Sequence, residues 1–581
     1  MTSRVTTPRF RTSHVIVAAL VLGVSLVAAL GWTAWRVWDA AGALQRVADA
    51  GRTAMDAVGN GDLRALQASL ADVARYGAQA GDAASTPLWP VASAMPVLGE
   101  DVAAIGALAR AAGTLAATLA APAAHALTTT GDDAGSLGRL APSWAPATEG
   151  VAEAQADLAS IDTTHLTGPV SKAVAQMREV LDRLGPSVAT ARAAAAVAAS
   201  LDEGTSSVLV LLQNGAELRT GGGITGAVAL LQVTDGKAEL VAQADSSMFP
   251  NLTSPIMPVS AAQDALYGDV VGRFVQNASM PTDFAETAAL ATAWWQRLGH
   301  PAPDLVVSID VPAIGALLRV TGPVTLPDGT ILTGDDIVQR LLVEPYTTMD
   351  SAQQTVFLQS AVSSAVAGLS TQQIDPLRWL SALATPIAEG RVSVWSADAS
   401  TQELLSVSSL GGPSARLAAA GPDAFAVYLN DGTGGKMDVY LHVELSIVSA
   451  VCRPDGRADV HVRATMASSA PADAEHVLAG DVTGRGLFGT GAGDIGTSIS
   501  VSAPPGSYFG GVTKNGKRAL SVDVDDAGRP TSLIRVNLSP AETNDVDFHF
   551  IMGSPGALAP SLLHTPMLST PTVSVESGSC G

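Results

Sequence analysis

The amino-acid sequence predicts a multidomain chain: an N-terminal transmembrane helix, an all-α Ala-rich stalk, an α/β core and a C-terminal all-β sandwich. Three observations carry that reading. An uncharged apolar run lies near the N-terminus, Ala-rich segments with helical spacing follow it, and two short apolar runs then flank a glycine-rich hinge within Val208 to Val233. With 581 residues the chain can hold several domains, and 47% hydrophobic residues can build cores. Aromatic residues make up only 4%, so those cores must be mostly small and aliphatic. A net charge of −21 argues against nucleic acid as a partner, because phosphate binding needs a basic face.

The run Val15 to Trp35 has no charge and only Ser25 and Thr33 as polar interruptions. A helix rising about 1.5 Å per residue would carry it across a hydrocarbon core of about 30 Å. It ends in Trp32, Trp35 and Trp38, the aromatic belt of a membrane interface, rather than in the small residues of a cleavage site. Arg4, Arg9 and Arg11 precede it, so the positive-inside rule keeps residues 1–14 in the cytoplasm. This predicts a single-pass plasma-membrane protein with its span at 15–37 and its bulk extracytoplasmic. No later run matches the first in length and apolarity.

Residues 38–204 read as a helical stalk or bundle, with helices at Ala41–Ala83, Ala92–Ala121, Gly150–Ile161 and Val170–Ala199. The α/β core spans 205–420. Its opening strands are Val208–Leu212 and Ala227–Val233, apolar runs bounded by glycine that suit the centre of a sheet. Residues 421–553 turn to period two, with turn residues between short strands, and predict the sandwich. Residues 554–581 read as a loosely held tail. Two cysteines are too few for a disulfide framework or a zinc site, but in an oxidising compartment one bridge between Cys452 and Cys580 would tie that tail down.

Candidate chemistry collects around the hinge. Arg219 stands beside Gly221, Gly222 and Gly223, so a planar cationic fork meets backbone N–H groups that can point into one concavity. Asn214 and Glu217 share the loop. Asp245 and Asp283 sit at element ends, where such folds collect metal or catalytic groups, although an aspartate before a helix equally serves as an N-cap. Lys436, in the loop Asn430–Lys436, offers a second point charge; the plain reading is a strand connection. The segment Gly511 to Lys517 has phosphate-loop spacing but ends in Arg518 rather than Ser or Thr, and Asn515-Gly516 reads better as a hairpin turn. No zincin spacing and no nucleophile elbow is present.

The stretches LVLLQNGAELRTGGGITG, PTDFAETAA, DLVVSIDVPAIGALLRVTGPV and VYLNDGTGGKMDVYL resemble the bacterial envelope family known as domain of unknown function 4012, over about Val208 to Leu441. A weaker similarity is to the LytR–CpsA–Psr glycopolymer transferases, which present a strand, an Arg-bearing loop and further strands in the order of Arg219, Gln232–Val241, Asp245 and Asp304–Val324. That resemblance implies a shared core fold. It also implies binding of a polyprenyl pyrophosphate lipid through arginines and a metal-bound aspartate, with transfer of its glycan to peptidoglycan. Gly221-Gly222 replace that family's Asp-containing loop, Ala244 stands at its second arginine, and only Arg340 remains of its later pair.

The leading expectation is an envelope protein that binds, or acts on, a phosphate-containing, lipid-linked glycan, with transfer to the wall if it is catalytic. Arg219 and Asp245 would be catalytic, and Asp245 and Asp283 would hold Mg2+ as cofactor. Asn214, Glu217, Arg219, Gly221–Gly223, Asp283 and Lys436 would contact the ligand. The alternative is a non-catalytic scaffold for other envelope proteins, in which Arg219 pairs with a buried carboxylate such as Glu217 or Asp310. Whether Arg219 faces a cleft or a salt bridge separates the two.

Overall fold

The computed structural model describes residues 12–59, 62–96, 98–129, 141–202, 204–234, 237–371, 376–576 and 578–580. The chain divides into two compact units, one of residues 1–133 and 142–188, the other of 134–141 and 189–581.

The first unit is helical. Helix α1 (Thr12–Gly59) runs unbroken through the apolar run, whose side chains before Gly31 lie outside the described set, as do residues 1–11 with their arginines. The expected helix Ala41–Ala83 is instead two. Asp62 accepts hydrogen bonds from the Arg64 and Ala65 N–H groups and so starts α2 (Leu63–Ala84) afresh. After α3 (Trp89–Ser93) come α4 (Gly99–Leu115), a π-helical turn Ala116–Ala120, α5 (Ala121–Thr129), α6 (Ala141–Ala159) and α7 (Gly168–Asp202).

Small residues explain the Ala-rich composition. A Cβ on Gly77 would lie 2.6 Å from the Ala112 carbonyl oxygen, and one on Gly81 would lie 3.3 Å from Gly113 Cα, so these backbones approach directly. Ala40, Ala43, Ala80 and Ala83 are fully buried in that seam. By length and composition alone, Gly99–His125 and Gly168–Leu201 are apolar enough to cross a membrane; half of the apolar window of Gly99–His125 is buried within the fold.

In the second unit, β1 (Thr205–Asn214), β2 (Ile224–Thr234), β3 (Lys237–Asp245), β4 (Leu305–Asp310) and, beyond a small hairpin of β5 (Val324–Thr325) and β6 (Ile331–Leu332), β7 (Val392–Ser396) form one mixed sheet. Its order is β3-β2-β1-β4-β7, with β1 central, parallel to β4 and antiparallel to β2. Alternate residues of β1 serve opposite faces. Leu209 and Leu211 pack with Phe284, Trp294 and Trp295 of the helix Phe284–Arg297. Val208 and Val210 pack on the other face with Ala313, Leu405 and the end of α7.

The sandwich is built by β8 (Phe425–Asp431), β9 (Leu441–Cys452), β10 (Ala458–Ser468), β11 (Ile495–Ser502), β12 (Tyr508–Lys514), β13 (Lys517–Ala519), β14 (Val522–Asp526), β15 (Arg529–Leu538) and β16 (Thr543–Ile551). Asn515 and Gly516, with φ of 51° and 71°, form the β12–β13 turn, so the segment with phosphate-loop spacing is a hairpin. The supposed tail supplies β17 (Gly556–Leu558), β18 (Leu562–His564), β19 (Thr572–Val575) and β20 (Gly578–Cys580). Strand β18 extends one sheet beside β8, and β19 extends the other beside β9. Residues 554–576 are therefore part of the fold rather than a loose tail: Leu562 and Met567 are in the sandwich core with Phe425, Phe548 and Phe550. Cys452 is disulfide-bonded, and the chain has one other cysteine, Cys580.

Leu218, from the β1–β2 loop, is buried in the sandwich core, which joins the mixed sheet to the sandwich within one unit.

Candidate functional site

The β1–β2 loop and the start of the β8–β9 connection are laced together by backbone and side chain. The Asp431 N–H donates to the Leu218 carbonyl (2.8 Å), and the Asp438 N–H to that of Ala216 (3.2 Å). In return the Leu218 N–H donates to Asp438 Oδ2 (2.7 Å), and the Thr220 N–H to Asn430 Oδ1 (3.0 Å). Asn430 Nδ2 also donates to Thr220 Oγ1 and to the Tyr267 hydroxyl. Asn214 caps its own loop, accepting from the Ala216 N–H, and donates to the Tyr346 hydroxyl.

Arg219 lies inside this latch with its side chain 7% exposed. Its Nε donates to Asn277 Oδ1 (3.0 Å), and Nη2 to the same oxygen (2.8 Å) and to Glu217 Oε1 (3.2 Å). Nη1 donates to the carbonyls of Leu218 (2.7 Å) and Asp431 (3.4 Å). A guanidinium has five N–H donors, and five contacts to protein acceptors occupy them. The other oxygen of Glu217 holds Lys436 Nζ at 2.5 Å, so the lysine is also paired. The glycines follow suit: the Gly221 N–H donates to the Ser279 carbonyl and the Gly222 N–H to that of Arg219. Gly222 has φ +121°, and a Cβ on Gly223 would lie 2.3 Å from the Asn214 carbonyl, so both positions demand glycine for the turn itself. The expected phosphate clamp of Arg219, Gly221–Gly223 and Lys436 is thus corrected to a closed network in which both cations are paired within the protein.

The buried charges set one another's protonation. Burial alone would raise Glu217, but the charges of Lys436 and then Arg219 outweigh it and hold the carboxylate below its ordinary value. Burial would likewise lower Lys436, and Glu217 reverses that. Asp431 is pushed up to about 6 by burial and then by the charge of Glu217. Burial and then Asp431 raise Asp438 well above the carboxylate range, and its buried Oδ1 has no hydrogen-bond partner. Both aspartates bind protons more tightly folded than unfolded, so their contribution to stability declines as pH rises from about 4 through their folded values. For Asp431 the span from 3.8 to about 6 amounts to about 3 kcal/mol. The larger unit should therefore melt at a higher temperature at pH 5 than at pH 7.5. Asp438→Asn keeps an acceptor for the Leu218 N–H and should reduce that difference while leaving the fold intact; an unchanged pH slope in thermal unfolding would refute this account.

The remaining expected site residues are caps. Asp245 accepts from the Ser247 N–H (2.9 Å) and hydroxyl and from Gln359 Nε2 (3.4 Å). Asp283 is exposed and accepts from the Ala285 N–H at the start of its helix (2.9 Å). Among the described residues neither belongs to a group of three side chains placed to share a metal ion. Buried Asp310 caps Val311–Thr321 and pairs with Arg391 (2.7 Å), and Arg340 pairs with Asp336 and Glu344 at the surface. Arg219 is not among the residues that line the cavity beside Lys436. That cavity, about 370 Å³, lies beside Lys436 between Leu342, Val343, Tyr346, Val439 and Val482.

Sequence reading missed Asn277, Asn430, Asp431 and Asp438 as partners of the hinge. The available signal was the pair Asn430-Asp431 ending the otherwise apolar run Phe425–Leu429, a place where polar groups must find partners once buried. No curated protein matches the chain. Residues 203–346 match the family described as protein of unknown function (DUF4012); the match takes in the Asn-x-Ala-Glu-Leu-Arg hinge and the helices up to Tyr346, and ends before the segment that closes the latch.

Proposed function

We propose that this is a single-pass membrane protein whose bulk lies outside the cytoplasm and serves the cell envelope as a non-catalytic scaffold for other envelope proteins and the wall. The observation that carries the reading is the closed fork of Arg219, which leaves no donor for a phosphate. Transfer of the LytR–CpsA–Psr type would need that fork free and Asp245 on a metal rather than capping a turn. The anchor rests on Val15 to Trp35 and on α1 continuing through it. At its far end Trp32, Trp35 and Trp38 are exposed, and Arg36 lies within 6 Å of the first two rings, an arrangement that suits a headgroup layer.

One observation favours a second reading, binding of a phosphate-containing lipid-linked glycan. The Arg416 guanidinium has no ion pair or hydrogen bond among the described residues, burial lowers its pKa, and the nearby Tyr428 hydroxyl is buried without a partner. Glu389 acts on this guanidinium only through space, and a buried cation without a bonded counter-ion favours an anion. Titration of the full-length chain in detergent with a short polyprenyl pyrophosphate analogue, with and without Mg2+, separates the readings. The scaffold predicts no saturable binding. Binding that inorganic pyrophosphate displaces and Arg416→Gln weakens roughly tenfold (about 1.4 kcal/mol) would install the second reading in its place.

A further inference from the structure

The outer face of the six-stranded sheet carries a cluster that neither reading uses. On β10 Asp459 and His461 are two residues apart and so share a face, and His461 is directly paired with His549 of β16. The two imidazole rings lie 4.0 Å apart by centroid, inclined by 52°. One ligand atom from each of Asp459, His461 and His549 lies within 4.8 Å of the others. All three side chains are half-buried, so they are held in place yet open to solvent.

Two details mark this as more than adjacency. Asp459 Oδ1 is buried and has no hydrogen-bond partner, although His461 Nε2 lies 3.6 Å away. That separation is too long for a hydrogen bond but close to the roughly 3.4 Å edge of a tetrahedral site with bonds of about 2.1 Å. The second detail is a bulge. The register of β12 against β16 shifts between Phe509 and Gly511, opposite His549. A Cβ on Gly510 would come within 2.9 Å of the His549 Cβ, so glycine there spares the histidine from being pushed off its position, and Gly511 places no side chain opposite it. Nearby basic residues are otherwise engaged: Arg463 pairs with Asp547, and Arg457 with Asp455.

We infer that Asp459, His461 and His549 form a binding site for a divalent first-row transition ion, with Zn2+ the best fit. Two imidazoles and one carboxylate are a donor set that such ions favour, and they leave at least one coordination position for water or an incoming ligand. The ion would clamp β10 to β16 on the face opposite the sandwich core, adding a cross-strand link to the hydrogen-bond ladder.

Calorimetric titration of the full-length chain, stripped with a chelator and kept in detergent, with Zn2+ tests the site. The expected result is one saturable ion per chain, with affinity reduced at least roughly tenfold by His461→Gln and by His549→Gln, the loss that even outer-shell changes produce. Zn2+ should also raise the melting temperature of the wild type and not of the variants, whose melting in chelator should match the wild type. Saturable binding left unchanged in both variants, or no saturable binding, overturns the inference. If a variant fails to fold, the wild-type chain decides with Co2+. A visible absorption band that Zn2+ abolishes supports the site, and no band refutes it.

Discussion

Arg219→Met should destabilise the larger unit by about 3–5 kcal/mol, the range for removing one partner of a buried ion pair. Methionine fills much of the volume, so the loss comes from charge and hydrogen bonding rather than from a cavity. The substitution leaves Glu217 with Lys436 alone and removes donors from the Asn277 side chain and from the Leu218 and Asp431 carbonyls. It also removes the cation that lowers Asp431 and Asp438, so both should bind protons more tightly. Denaturant unfolding followed by far-ultraviolet circular dichroism would register the loss as a lower midpoint. A phosphate clamp open to solvent would behave otherwise, since removing an exposed, unsatisfied arginine changes stability by well under about 1 kcal/mol.

Deleting residues 554–581 should abolish cooperative folding of the same unit. Strands β18 and β19 extend both sheets of the sandwich, and Leu562 and Met567 fill its core. The segment also reaches back to the mixed-sheet region, where Arg391 Nη2 donates to the buried Met567 carbonyl (2.9 Å), and within the sandwich the Leu429 N–H of β8 donates to Thr565 Oγ1 (3.0 Å). Losing two core side chains costs about 2–5 kcal/mol each, and freeing Arg391 and the edges of two sheets adds to that. The sum is comparable with the 5–15 kcal/mol that holds a typical domain together. The truncated chain should be protease-sensitive and show no unfolding transition for the larger unit. A soluble product with a sharp transition near that of the full chain would mean that the C-terminal strands are dispensable.

The elements most legible in the sequence were those set by local pattern. Val208–Leu212 reads as a buried central strand because it is apolar on both faces, and it is one. Asn515-Gly516 reads as a turn because the pair tolerates positive φ, and it adopts it. What pattern could not supply was long-range partnership. Residues 554–581, rich in Ser, Pro and Thr, look like a linker, yet short strands there need only a sheet edge distant in sequence to become ordered. Likewise Arg219 beside three glycines carries the local chemistry of an anion site. Its actual acceptors, Asn277 and the Asp431 carbonyl, lie 58 and 212 residues away along the chain. Glu217, only two residues off, is the local hint, and the scaffold alternative expects Arg219 to pair with it. The same holds for Leu218, which lies in the loop of the mixed sheet yet belongs to the core of the sandwich that follows.

The measurement that bears most directly on the latch is a double-mutant cycle between Arg219 and Glu217, using Arg219→Met, Glu217→Gln and the pair in denaturant unfolding. Contact at 3.2 Å within a buried, shared network predicts a coupling of about 1–3 kcal/mol, with the double variant less destabilised than the sum of the singles. Additivity within about 0.5 kcal/mol would show that the two side chains do not depend on each other, and would contradict the closed latch.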